Sequence, residues 1–315
     1  MTNLKQPRIA LGTWAWGDTP NGQVFGNHLT TTELQPVVDA AMAAGLTLWD
    51  TAYAYGAGAS EEKVGELLQA YPRESYQLST KFTPQMVTGD SDHEVADMLA
   101  GSLKRLKTDY IDLYWIHNPA DIEKWTPQLI PLVQSGQIKQ IGVSNHNLAQ
   151  IKRVNEILGA ADIQISAVQN HFSLLYRSSE KAGIIDYCQE HDLTFFAYMV
   201  LEQGILTGRY DSEHPLPAGS ARAAAYNGVL PQISTLVAAL TEIGAKQQAS
   251  AVEVATAYVL AKGTTPIIGV TKAKYIPSEA TALALKLTSA DIDRLESLAA
   301  AADVDTKGSW EAPMI

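Results

Sequence analysis

The 315-residue chain has almost no cysteine: Cys188 stands alone. That excludes a disulfide framework and any cysteine-based zinc site. Its seven histidines show no HExxH or comparable ligand spacing, so no metal centre is expected. Positive charge is also in short supply. Against 34 Asp and Glu stand 23 Lys and Arg, a formal net charge of −11. Such a field repels polyanions, so a nucleic-acid partner is not expected. No stretch reads as the roughly 20 consecutive apolar residues that cross a bilayer. Residues 1–8 carry no apolar leader run. The expectation is a cytoplasmic protein with no membrane partner. Charged residues make up only 18% of the chain and apolar ones 46%, enough to bury a sizeable core and too many for a disordered chain.

Short apolar runs alternate with longer helical patterns. Strand-like runs fall at 9–13, 46–50, 76–81, 111–117, 138–144, 167–170, 193–198 and 266–270. Several are continuously apolar, as strands buried on both faces should be. Helical patterns fall between them at 32–44, 60–68, 92–106, 122–135, 148–158 and 178–190, with Gly45 and Gly136 as stop signals. Eight strands at an even pitch predict an α/β fold, a closed (β/α)8 TIM barrel, as one domain over residues 1–315. The competing fold, an open doubly wound sheet, predicts a glycine-rich turn after the first strand, and Gly12-Thr13-Trp14 is not one. Gly56-Ala57-Gly58 is no dinucleotide fingerprint either: Glu61 stands where a third glycine would be. The pitch breaks after the seventh strand, where 207–228 reads as a long loop, followed by helices at 231–246 and 250–261. A further helix at 289–302 lies outside the repeat.

In such a barrel the chemistry sits where strands end. The polar residues at those ends are Asp50 with Tyr55 just beyond, Lys81, His117, Ser144-Asn145, Gln169, Tyr198 and Thr271-Lys272. Each is about one βα unit from the next, so the barrel predicts that they converge on one rim. A tyrosine hydroxyl is a poor acid at neutral pH unless its phenolate is stabilised. Lys81 is the candidate to do that by lowering the Tyr55 pKa, and Asp50 is the candidate to hold Lys81. His117 is placed to orient a carbonyl oxygen. That is general-acid machinery for reducing a carbonyl, and it needs a hydride source such as a nicotinamide. Trp16, Tyr53, Phe82 and Trp115 are the candidate walls of an apolar carbonyl pocket, with Trp310 of the tail over its mouth. The remaining histidines, His171 among them, read as surface or supporting groups, and Cys188 as a buried helix residue.

These residues resemble the aldo-keto reductases. Asp50-Thr51-Ala52-Tyr53-Ala54-Tyr55-Gly56 is similar to that family's DTAxxYG. Ser79-Thr80-Lys81 and Tyr114-Trp115-Ile116-His117 are similar to its strand-three lysine and strand-four histidine. Gly142-Val143-Ser144-Asn145 resembles its GxSN element, which with Gln169 grips the nicotinamide carboxamide, while Tyr198 falls where a tyrosine stacks on the ring. The resemblance extends to Gly12, Thr13 and Trp14, and to Leu201, Gly204 and Leu206 around a GLLTGKY-like stretch, as cofactor contacts. Gly269, Thr271 and Lys272 lie where the adenosine 2′-phosphate is held, and Glu279 where adenine is met. It implies NADP(H)-dependent, reversible reduction of a small aldehyde or ketone, with NAD(H) left open. The family's Tyr-Ser-Pro-Leu is here Tyr198-Met199-Val200-Leu201, which removes a serine contact to the pyrophosphate. The alternative is a cofactor-binding sensor similar to the β subunits of voltage-gated potassium channels.

Overall fold

The computed structural model describes residues 8–18, 25, 28–89 and 91–314. Its strands are β1 (Ala10–Gly12), β2 (Leu48–Asp50), β3 (Gln77–Phe82), β4 (Ile111–Ile116), β5 (Ile138–Ser144), β6 (Ala167–His171), β7 (Thr194–Tyr198) and β8 (Thr265–Gly269). Each pairs in parallel with the next and β8 closes on β1, so the expected (β/α)8 barrel forms. The register sets Gly12 opposite Asp50, Asp50 opposite Ser79, Ser144 opposite Gln169 and His171 opposite Tyr198. That alignment delivers the polar strand ends to one rim.

Side chains alternate between the barrel interior and the helix layer, as the two-residue period of a strand requires. Ala10, Leu48, Leu113, Trp115, Ala167 and Phe196 fill the interior. Trp115 is accommodated because Gly142 faces it across the β4–β5 pair, and a Cβ at Gly142 would overlap the indole. Tyr114 and Ile116 turn outward into the larger core beneath the helices. The helices start on polar caps. Thr30 with Glu33, Asn147 with Gln150, Ser250 with Glu253 and Thr288 with Asp291 each form a reciprocal capping box.

Three expected segments need correction, and one helix was not anticipated. The pattern at 122–135 is not one helix: Ile122–Trp125 and Ile130–Gln134 flank a 3-10 turn, because Pro127 and Pro131 each remove a backbone donor. The pattern at 178–190 divides at Gly183, whose φ of 71° ends Ser178–Lys181 before Ile184–Glu190 begins. The stretch 207–228 is not all loop. Its alanine-rich part forms a helix, Ala221–Tyr226, that buries Ala223 and Tyr226 against Ile205 and Leu216. That helix leads into Leu230–Ala245, and the 25-residue run Ala221–Ala245 is long and apolar enough to cross a membrane by length and composition. Its apolar residues form a buried stripe: Leu236, Leu240 and Ile243 pack into the main core, and Leu230 and Ile233 against Ile205, Leu216 and Tyr226. A helix not anticipated, Ile276–Ala284, follows β8, and Pro277 in its first turn is the signal that marks it.

Two helices approach so closely that only glycine fits between them. A Cβ at Gly65, in the helix Ala59–Leu67, would stand 2.7 Å from Leu106 Cα and overlap the Arg105 carbonyl. Backbone cannot yield as a flexible side chain does. Gly65→Ala is therefore expected to destabilise the protein by about 1–3 kcal/mol despite alanine's better helix propensity. Thermal or urea unfolding measures this, and an unchanged midpoint would contradict the packing.

Candidate active site

The site is built around a buried ion pair. Lys81, on β3, is fully buried, and Asp50, ending β2, is 4% exposed at its side chain. The Lys81 ammonium donates to Asp50 Oδ2 at 2.7 Å, to the Thr51 carbonyl at 2.7 Å and to the Tyr55 hydroxyl at 3.2 Å. Its three donors thus have three acceptors. The other Asp50 oxygen accepts from the Ser79 hydroxyl at 2.5 Å and from Gln169 Nε2 at 3.2 Å. Burial works against the charge on Lys81, but Asp50 and Tyr55 outweigh it and hold its pKa above the ordinary lysine value.

Tyr55 corrects one expectation. Burial is the largest influence on it and raises its pKa. Lys81 pulls the other way, Asp50 adds to the rise, and the net direction is upward. The lysine offsets part of the cost of burying a phenolate without reversing it. Tyr55 is accordingly a protonated phenol at neutral pH. His117, just past β4, stands with its ring 6.0 Å from the Tyr55 ring at 78°. Its Nδ1 lies 2.9 Å from the Thr83 hydroxyl. Burial, with Lys81 nearby, lowers its pKa to about 3, so it is a neutral imidazole.

The next strand ends form a second polar group. Asn145 Nδ2 donates to the His117 carbonyl at 2.9 Å and to the Ser144 hydroxyl at 3.2 Å, and the Tyr198 hydroxyl donates to Asn145 Oδ1 at 2.6 Å. Asn145 (φ 63°) and Met199 (φ 61°) take left-handed backbone conformations there, an uncommon cost that clusters at functional sites. Gly269 ends β8 with no heavy atom within 4 Å of where a Cβ would stand, and Lys272 is exposed just beyond. A hydroxyl and two carboxamides beside an aromatic ring, an open backbone surface and an exposed ammonium match the carboxamide, ring and phosphate of a nicotinamide dinucleotide. The residues present fit such a cofactor.

Other predicted positions fall elsewhere. Trp16 is buried against Trp49, its Nε1 donating to the Val270 carbonyl at 2.7 Å. Phe82 packs on Trp125 under the helices, and Trp115 fills the barrel interior. Each of the three is buried, at an inward or helix-facing position of the scaffold, and none lines the side cavity beside Tyr53. Tyr53 covers the Arg105 guanidinium at 4.6 Å and lines that cavity, of about 220 Å³, with Met86, Val87 and Met98. The aromatic ring stacked on the Tyr55 phenol is that of Trp14, a residue expected among the cofactor contacts. Its ring lies over Tyr55 at 6.1 Å and meets Trp310 edge-on at 5.6 Å, so the tail does reach the mouth. Thr13 is buried and donates to the Asp50 carbonyl at 3.0 Å, as a support for β2. Leu206 is buried, while Leu201 and Thr271 are partly exposed. Glu279 is buried with one oxygen lacking a partner among the described residues, and burial beside Glu253 raises its pKa to about 8. His171 and His146 are fully buried, so the surface reading fails for both. Cys188 is a buried free thiol, as expected.

A closed parallel barrel with this cluster at the carboxyl ends of its strands defines a class of barrel oxidoreductases. The chain belongs to the aldo/keto reductase family, which its residues 8–300 match. It is 34% identical over 281 residues to an aldo-keto reductase of Strobilurus tenacellus, covering 85% of this chain and 81% of that one. Over 288 residues it is 31% identical to an aldo-keto reductase of Schizosaccharomyces pombe named for NADP(+), covering 86% and 83% of the two chains. The structure is similar to that of a glycerol dehydrogenase of Gluconobacter oxydans, with a TM-score of 0.82, 25% identity and coverage of 98% and 97%.

The neutral state of His117 is directly measurable. Its pKa of about 3 lies below the ordinary histidine value, so it stays unprotonated as pH falls while the unfolded chain takes up a proton. That costs stability as pH drops from roughly 6.5 toward 3. In NMR the His117 ring carbons are expected not to titrate between about pH 8 and pH 5. A midpoint inside that window would contradict the burial argument.

Proposed function

We propose that the protein reduces aldehydes or ketones reversibly, using NADP(H), with Tyr55 as the proton donor. The observation that carries this reading is the contact of one buried ammonium, Lys81, with both the Asp50 carboxylate and the Tyr55 hydroxyl. A reduced nicotinamide supplies the hydride when bound.

The chain's own part is acid catalysis and orientation. As negative charge develops on the carbonyl oxygen, the Tyr55 phenol gives up its proton to it, and Lys81 stabilises the phenolate left behind. Asp50 keeps Lys81 charged and fixed. His117, neutral and with Nδ1 engaged by Thr83, offers Nε2 to orient the same carbonyl oxygen. In the reverse direction the Tyr55 phenolate takes the proton back from the alcohol. Ser144, Asn145 and Gln169 would hold the carboxamide and Tyr198 the ring face, with Lys272 at a 2′-phosphate. The S. pombe relative's name and the exposed Lys272 both favour NADP(H) over NAD(H). Trp14 gives the carbonyl site an apolar wall.

The test is turnover by Tyr55→Phe across a panel of aldehydes and ketones with NADPH. The variant is expected to bind NADPH as the parent does and to lose about 10²–10⁴-fold in kcat, the range for removing a general acid. An unchanged rate would reject Tyr55 as the donor. Tight NADPH binding by the parent protein with negligible turnover on every carbonyl would favour the sensor reading.

A further inference from the structure

Beyond the helix Ser289–Ala302 the chain turns back over the ends of β6 and β7. Three contacts fix this tail. The Thr306 hydroxyl donates to Glu202 Oε1 at 3.0 Å. Glu311 presents Oε1 at 2.9 Å and Oε2 at 3.2 Å to His171 Nδ1. Met314 is buried, its sulfur 3.5 Å from Asn170 Nδ2. On the other edge of the same imidazole, Nε2 lies 2.9 Å from Glu202 Oε1. His171, Glu202 and Glu311 are all closed to solvent at their side chains.

A neutral imidazole has one donor; only the imidazolium donates from both nitrogens. Two carboxylates set against its two edges therefore select the charged form. The ring faces are used as well. Tyr176 stacks on His171 at 4.2 Å and 21°, and Tyr198 at 5.5 Å and 24°. Glu202 is itself held under strain, with φ 47°, followed by Gln203 at φ 51°. A non-glycine pair in that region persists only where its surroundings over-determine it. Here the surroundings are His171, Thr306 and the Ser173 hydroxyl, which also donates to Glu202.

We propose that His171, as an imidazolium, is a positioning residue that joins the two halves of the site: it backs the Tyr198 ring and, through Glu311, pins the tail so that Trp310 meets Trp14 beside Tyr55. The chain between Thr306 and Glu311 carries Trp310 across that gap. Trp310 and Glu311 also both influence the Tyr198 hydroxyl electrostatically. The role in catalysis rests on the carbonyl-reductase reading; the clamp on the tail does not.

The clamp is sensitive to pH. The groups facing the imidazole are Glu202 after β7, Glu311 from the tail, Tyr176 after β6 and Tyr198 on β7. Tyr226 from Ala221–Tyr226 faces both carboxylates, and Asp305 acts on Tyr176. Burial disfavours the charge, but Glu202 and then Glu311 outweigh it and raise the pKa to about 9. A pKa above the ordinary histidine value means the clamp is complete below roughly 6.5 and is lost as pH rises through about 9.

The experiment compares the parent protein with Glu311→Gln, which keeps the shape of the tail and removes one charge. Trypsin cleavage after the exposed Lys307, followed by mass spectrometry without cofactor, reports tail release. The parent tail is expected to resist at pH 7 and to become cleavable as pH passes about 9. Glu311→Gln is expected to be cut about tenfold faster at pH 7, with the pH midpoint moved down and the main thermal transition unchanged. With NADPH, its KM for a carbonyl substrate is expected to rise about fivefold while kcat stays within about twofold. Equal cleavage of the two proteins at every pH would overturn the clamp. Faster cleavage with an unchanged KM would overturn the positioning role. If no carbonyl is reduced by either protein, the functional reading fails, and the cleavage comparison alone still decides for or against the clamp.

Discussion

One buried ammonium orders this site. Lys81 is closed to solvent at the end of β3, and an isolated charge there would be intolerable. It is tolerated because the barrel register brings Asp50, the Thr51 carbonyl and Tyr55 to its three donors. Removing one partner from a buried pair of this kind typically costs about 3–5 kcal/mol, so the pair constrains the scaffold as well as the chemistry. Asp50 is in turn held by Ser79 and Gln169. The Gln169 contact spans the barrel mouth, so the same hydrogen-bond network that fixes the lysine reaches the residues that would hold a nicotinamide.

The electrostatics of the cluster are a balance between desolvation and pairing. Tyr55 and His117 both lie in the field of Lys81, and burial pushes each toward its neutral form. For Tyr55 the neutral form is a proton donor; for His117 it is an uncharged hydrogen-bonding ring. His171, more deeply buried than His117, nonetheless goes the other way because two carboxylates face it. Two imidazoles on one rim are thus drawn to opposite charge states: His171 has a carboxylate at each ring nitrogen, while His117 faces the charge of Lys81.

Much of this was legible in the chain. The eight apolar runs and the polar residue after each one led to a closed barrel and to Asp50, Tyr55, Lys81 and His117 meeting at one end. Strand ends are readable because a strand's direction fixes which end faces the loops that carry chemistry. Pocket walls were not readable in the same way. Trp16, Phe82 and Trp115 lie close in sequence to strand ends, yet each turns into the scaffold, because facing is set by alternation and by gaps such as that left by Gly142. Trp14 emerged as the wall only once its ring was seen over Tyr55. His171, Glu202 and Glu311 come from three distant segments, and no local pattern announces that they converge. The proline breaks at Pro127 and Pro131 and the helix start at Pro277 were visible in principle, since proline's lost donor acts locally.

The account depends on Lys81 and Tyr55 acting as one unit. The most direct measurement is a double-mutant cycle in kcat for carbonyl reduction, comparing Lys81→Met, Tyr55→Phe and the combined variant. Groups that act as a unit are strongly non-additive, so the combined variant is expected to fall within about threefold of the slower single variant. If the two losses multiply in full, the lysine and the phenol act separately, and the reading of the cluster as a single proton-donating device is wrong.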